Sequence, residues 1–232
     1  MGMVYRVDSR EVIMISILFV LLLLYASVPP ITLFFCLKWI YKDNWHYGWH
    51  LFYFFKWLFT ISFLPLLMIE NIELGLVPQH WYSVAALVVK FIFAVLGLRP
   101  AVKQRVLYFY LMGVYASFME EILYRSILFG IVQAIWHNQW ITIGVTSFLF
   151  GTWHLKNYYW SGKKGIIIQF FYTFLAYGPI FAWLRIFSGD IYLAVLFHYI
   201  TDATVALAPN WTRGWLVFGG RGGKYMDNHI KG

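Results

Sequence analysis

The sequence predicts an all-α protein, a polytopic transmembrane helix bundle of seven or eight spans. Three observations carry this. Hydrophobic residues make up 61% of the 232-residue chain and charged residues 12%, with a mean hydropathy of +0.66, whereas about 25% of residues are charged in a soluble domain. Apolar runs recur from end to end, several of them near the roughly 20 residues that a spanning helix needs. Tyr and Trp cluster at the ends of those runs, at the level of the lipid headgroups. The formal charge of +8 would point to nucleic acid in a soluble protein. Here Lys and Arg stand at the ends of apolar runs, where they orient helices or meet anionic lipid, so no nucleic-acid partner is expected. Cys36 is the single cysteine, which excludes an intrachain disulfide.

The first run, Val12–Val28, follows Arg6 and Arg10 and ends in Ala26-Ser-Val28, much as a signal peptide does. Apolar sequence resumes at Ile31 after Pro29-Pro30 and continues to Ile40, so the segment reads as an uncleaved, proline-bent helix. Leu51–Ile69, Trp81–Leu98, Val102–Trp136, Trp140–Leu155, Gly165–Phe187 and Ile191–Ala208 follow. Their flanks carry Trp45, Tyr47 and Trp49, then Trp81 and Tyr82, Trp136 and Trp140, Tyr158 to Trp160, and Trp211 and Trp215. There is no internal repeat. The chain divides into N-terminal transmembrane helices (1–100), a membrane core holding the clustered polar residues (101–208) and a flexible tail (209–232) with Gly219-Gly-Arg-Gly-Gly223.

One run is too long for a straight span. As a helix, Val102–Trp136 would extend about 52 Å, against a hydrocarbon core of about 30 Å. Dividing it near Ala116–Phe118 lays the first part on the interface and starts a spanning helix just before Glu120, at the face that holds His154. A straight crossing from Lys103 would carry Glu120 about 25 Å from that face. Alternatively the first part also crosses, giving eight spans.

Arg99, Lys103 and Arg105, then Lys156, Lys163 and Lys164, then Arg213, Arg221, Lys224 and Lys231 mark one side, while the connections at 70–80, 137–139 and 188–190 hold no Lys or Arg. With the basic side inside, the C-terminus is cytoplasmic and the protein is integral and multi-pass, in contact with lipid. Arg6 and Arg10 run against this assignment.

Three fragments place ionisable groups inside apolar stretches: Glu120-Glu121-Ile-Leu-Tyr-Arg125, Phe150-Gly-Thr-Trp-His154 and His198-Tyr-Ile-Thr-Asp202. A charge at the bilayer centre costs about 2.5–3.5 kcal/mol on insertion scales, so such groups face a bundle interior or a wet cavity. Adjacent carboxylates point about 100° apart on a helix, while Glu121 and Arg125 share a face. Arg125 can therefore neutralise Glu121 and leave Glu120 as a general base. The same fragment also reads as an ion network that only fixes packing. His154 lies one turn after Phe150, and Asp202 one turn after His198, where it can accept from the imidazole. Together, a Glu and two His on separate helices can hold a water, or a metal with its water, against a scissile carbonyl. His46, His50, His80, His137 and His229 read as ordinary interface or surface residues.

The ordered trio Glu-Glu-x-x-x-Arg, Phe-x-x-x-His and His-x-x-x-Asp on successive apolar helices resembles the CAAX-protease and bacteriocin-processing (Abi) family of intramembrane endopeptidases. That family includes hydrolases that trim prenylated CAAX proteins and bacterial members linked to bacteriocin immunity. The resemblance covers Ser117 to Ala208, with Ser126 where many members have Gly and Asp202 where many have Asn. It implies that Glu120 activates water, that His154 and His198 position it and stabilise the oxyanion with help from Asp202, and that Glu121, Arg125 and Phe150 support them. Its implied partner is a protein or peptide substrate, prenylated or bacteriocin-like. A metalloprotease and a metal-free glutamate mechanism are both compatible with it. No cofactor is favoured; if zinc is bound, its ligands are Glu120, His154 and His198, with Asp202 behind them. The rival readings are a non-catalytic immunity or scaffold protein and a small proton-coupled transporter.

Overall fold

Every regular element among the described residues of the computed structural model is helical. The structure describes residues 72–104 and 107–204, isolated positions among residues 13–65, and Leu207. The proline-bent first helix, His46 and His50, and the tail from 209 onward lie outside the described residues. The helices are α1 (Trp81–Lys103), α2 (Leu107–Glu121), α3 (Leu128–Trp136), α4 (Gln139–Trp153), α5 (Tyr158–Tyr172), α6 (Gly178–Ser188) and α7 (Tyr192–Tyr199). Three π-helical stretches, Ile122–Ile127, Thr173–Tyr177 and Ile200–Thr204, join α2 to α3, join α5 to α6 and extend α7.

Local chemistry accounts for the breaks between helices. His137 takes a left-handed conformation (φ 47°) that ends α3, and the Asn138 side chain then accepts from the backbone N–H groups of Trp140 and Ile141 to start α4. Gly189, at φ 70°, ends α6 in the same way, at no Cβ cost. Asp190 opens α7 by accepting from Tyr192 N and pins the segment before α1 by accepting from Gln79 N.

Among the described residues, two stretches are long and apolar enough to cross a membrane, Trp81–Lys103 and Gly165–Ser188. In α1 the buried residues are Ser83, Ala86, Lys90, Gly97 and Ala101, while Phe91, Ile92, Phe93, Val95 and Leu96 point outward. A helix facing water buries its apolar stripe. Here small and polar residues face inward and large apolar ones face out, as between helices surrounded by lipid.

The expected division near Ala116–Phe118 is not present. Helix runs without interruption from Leu107 through the π-helical stretch to Trp136. No Gly or Pro stands at 116–118 to open the backbone, and the Ser117 hydroxyl donates to the Val114 carbonyl within the helix. A break in an apolar environment would strand backbone N–H and C=O groups, each costing several kcal/mol. The basic stretch around Lys156–Lys164, expected as a connection, is likewise helical from Tyr158. At the other end, α1 runs through Pro100 to Lys103, further than the apolar run alone implies.

Around α2 the bundle closes. α7 packs on α1, α2 and α6, and α4 packs on α3 and α6. The core between them holds Met119, Leu123, Ile127, Phe150, Phe181 and Val195. A second cluster forms where the Tyr110 hydroxyl meets that of Tyr199 at 2.9 Å and reaches the Phe93 and Ala94 carbonyls, tying α2 to α7 and α1.

Candidate active site

Glu120 and Glu121 are the last residues of α2, and the π-helical stretch begins directly behind them. A π turn carries more residues per turn than an α-helix and recurs at functional sites, because it re-aims the side chains that follow. Both carboxylates are buried. Their divergence on the helix sends them to different partners.

Glu121 serves two. Its Oε2 lies 3.5 Å from Nε of Arg125, one turn on, with both side chains fully buried. Its Oε1 accepts from Nδ1 of His198 at 2.7 Å. Arg125 is held from three directions: by Glu121, by the Gly178 carbonyl, which accepts from Nη2 at 3.2 Å, and by the Phe150 ring, 4.6 Å below the guanidinium. Gly178 itself lets α6 pack closely on α4, because a Cβ there would come within 2.6 Å of the Ser147 side chain.

Glu120 faces the other way. Its Oε1 accepts from the indole Nε1–H of Trp153 at 2.7 Å, and its Oε2 lies 3.8 Å from Nε2 of His198. That nitrogen is also 3.3 Å from Oδ2 of Asp202. One imidazole is thus ringed by three carboxylates. Phe181 stacks on it at 5.1 Å and Phe150 meets it edge-on at 5.6 Å, fixing the ring plane. Asp202 lies in the π-helical Ile200–Thr204 with 42% of its side chain exposed, so the open side of the site is there.

His154 is half-buried at the end of α4. Its Nδ1 lies 2.8 Å from the Phe150 carbonyl, which can only accept, so Nδ1 carries the proton and Nε2 is the ring's other functional nitrogen. The ring packs edge-on against Phe150 at 4.8 Å. Phe150 therefore touches both imidazoles and the guanidinium.

Every residue singled out in the sequence lies in this one network: Glu120, Glu121, Arg125, Phe150, His154, His198 and Asp202. Glu120 reaches it although it stands about 20 Å along an unbroken helix from Leu107, because His198 and Trp153 both lie at the C-terminal ends of their own helices. The sequence reading missed Trp153, the Glu121–His198 bond and Phe181. A Trp one residue before His154 in an apolar helix carries a donor that needs a partner when buried, which was the available signal. It also missed Lys90, a single charge inside a run that reads as apolar.

The donor set is arranged for hydrogen bonding. Both ring nitrogens of His198 face carboxylate oxygens, one oxygen of Glu120 is taken by Trp153, and among the described residues no group of three His, Cys, Asp or Glu could hold a metal ion.

Residues 101–204 match the family described as type II CAAX prenyl endopeptidase, Rce1-like. The matched segment opens in the last turn of α1 and closes with the π-helical stretch that carries Asp202, so it holds every residue of the network. This segment of the chain is similar to that family, in agreement with the resemblance carried by the three motifs. No curated protein and no solved structure matches the chain.

Proposed function

We propose that this chain, Rce1-like over residues 101–204, is an intramembrane endopeptidase in which Glu120 activates water against a peptide bond. The observation that carries the reading is the His198 ring, shared between Glu121 at Nδ1 and the Glu120 and Asp202 carboxylates at Nε2. The 3.8 Å separation of Glu120 Oε2 from His198 Nε2 is too long for a direct hydrogen bond and fits one bridging water.

In this reading Trp153 holds one oxygen of Glu120, leaving the other to take a proton from water as the hydroxide adds to the scissile carbonyl carbon. His198 and His154, whose Nδ1–H groups are held by Glu121 and by the Phe150 carbonyl, donate from Nε2 to the oxyanion that forms, each as an imidazolium. Collapse of the tetrahedral species breaks the C–N bond, and Glu120 returns its proton to the leaving amine. Glu121, fixed by Arg125, holds the His198 ring, and Asp202 steadies it from the open side. The reading is metal-free, and the carboxylate neighbours of His198 support that. The substrate class is a prenylated CAAX-type peptide, with a bacteriocin-like peptide as the second candidate. A multi-pass arrangement of seven or eight spans with a cytoplasmic C-terminus completes the proposal, supported by Arg99, Lys103 and Arg105 and by the basic residues after Pro209.

The test is cleavage of a prenylated CAAX peptide by purified protein in detergent or liposomes. Wild type should cleave it and keep its rate after exhaustive chelation, while Glu120→Gln should lose about 10²–10⁴-fold, the usual worth of a positioned base, with melting unchanged. Full activity in Glu120→Gln would reject the base. Activity lost on chelation and restored by zinc would reject the metal-free route.

A further inference from the structure

Lys90 stands at the middle of α1, a helix long and apolar enough to cross a membrane, and only 7% of it is exposed. An ammonium in that setting needs a partner, and an ionisable residue at membrane depth usually serves the functional site. The residues that follow it, Phe91, Ile92 and Phe93, point outward, while Lys90 shares the inward face with Ser83, Ala86 and Gly97. Its Nζ lies 5.0 Å from the centroid of the Phe118 ring. Phe118 is on α2, three residues before Glu121 and therefore on a neighbouring stretch of the same surface. Trp57 stacks on Phe118 at 6.3 Å and Tyr192 packs against it at 6.5 Å, so the aromatic platform under the ammonium is fixed. The Lys90 ammonium thus lies against the last turn of α2, the turn that ends in Glu121. α1 also packs on α7, the helix that carries His198.

The site has three carboxylates, Glu120, Glu121 and Asp202, and among the described residues the Arg125 guanidinium and the His198 ring are the groups paired with them. In a medium of low dielectric such an imbalance is costly, and a cation placed one shell away offsets it. We propose that Lys90 is a positioning residue, the electrostatic partner that holds Glu121 where it aims the His198 ring. Lys90 touches neither the water nor the substrate of the reading above, on which its catalytic consequence rests. Glu121 already has Arg125 on one oxygen and His198 on the other. The Lys90 charge biases that carboxylate to stay deep in the bundle and keep both bonds.

Two measurements test this. In the peptide assay, Lys90→Met should lower kcat about tenfold or more, a barrier rise of about 1.4 kcal/mol, with KM unchanged, and Lys90→Arg should restore most of the rate. An undiminished kcat in Lys90→Met, a matching rise in KM, or a loss shared equally by Lys90→Arg would overturn the role. The second measurement needs no activity. Melting of Lys90→Met, Glu121→Gln and the double variant in detergent should be non-additive, because the two charges act on each other; should Glu121→Gln not fold, Glu121→Met takes its place. Additive shifts would overturn the pairing even if the peptide is cleaved. A wild type that cleaves nothing, beside a non-additive cycle, would overturn the endopeptidase reading and leave the pairing standing.

Discussion

Nδ1 of His198 lies 2.7 Å from Oε1 of Glu121, so the second carboxylate of the Glu-Glu pair acts as a bridge between Arg125 and the imidazole of the candidate site. Sequence spacing alone gives Glu121 to Arg125, since residues four apart share a helix face. The structure adds that the same side chain reaches across to α7. The ion pair is therefore also the support of the ring beside which water would be activated.

This bridge makes Arg125 a stability residue as well as an activity residue. Its guanidinium is fully buried, and removing it leaves Glu121 with an uncompensated charge, a loss typically worth about 3–5 kcal/mol. Arg125→Ala should lower both the melting temperature in detergent and the rate of peptide cleavage. Glu121→Gln, which keeps a hydrogen-bonding group toward His198, should melt above Arg125→Ala. Unchanged melting in Arg125→Ala would mean that the pair is not formed in the folded protein.

Trp153 offers a cleaner separation of packing from chemistry. Its indole Nε1–H donates to Oε1 of Glu120 at 2.7 Å, and Phe keeps an aromatic ring of similar character while deleting the donor. A hydrogen bond to a charged group is worth about 1.5–3 kcal/mol. Trp153→Phe should therefore lower kcat by about tenfold to a hundredfold with little change in KM. If the variant turns over at the wild-type rate, the indole does not orient the base.

The membrane core was legible because its signals are local. Apolar runs, aromatic flanks and polar residues four apart all refer to neighbours on one helix, and α4, α6 and α7 fall where those signals put them. The pairs within a helix, Glu121 with Arg125 and His198 with Asp202, were legible for the same reason. Pairs between helices were not. Trp153 with Glu120 and His198 with Glu121 join residues 33 and 77 positions apart, and no periodicity encodes which way two helix ends face each other. The misplaced break at Ala116–Phe118 arose from treating length as the deciding quantity. The backbone's need to keep its hydrogen bonds overrode it, and the site was brought to Glu120 by the ends of α4 and α7. Lys90 escaped notice because one charge barely changes the hydropathy of a long run.

The close approach of α2 to the π-helical stretch after α7 sets the position of Asp202, and it depends on one glycine. A Cβ on Gly113 would stand 2.7 Å from the backbone nitrogen of Ala203 and 3.0 Å from the carbonyl carbon of Asp202, closer than real Cβ atoms come. The colliding atoms are backbone, so they cannot swing aside as a side-chain tip would. Small residues at such crossings are what let membrane helices touch. Gly113→Ala must therefore push the Ile200–Thr204 stretch outward and carry Asp202 away from Nε2 of His198, now 3.3 Å distant. Overpacking of this kind costs about 1–3 kcal/mol, so melting should fall and cleavage should fall with it. Gly144 is the control, because it sits on the exposed side of α4 with nothing within 4 Å of its would-be Cβ. Gly144→Ala should be neutral or stabilising by up to about 1 kcal/mol, the helix-propensity difference between the two residues, with full activity. Equal behaviour of the two variants in melting and cleavage would refute the contact between Gly113 and the Asp202 turn.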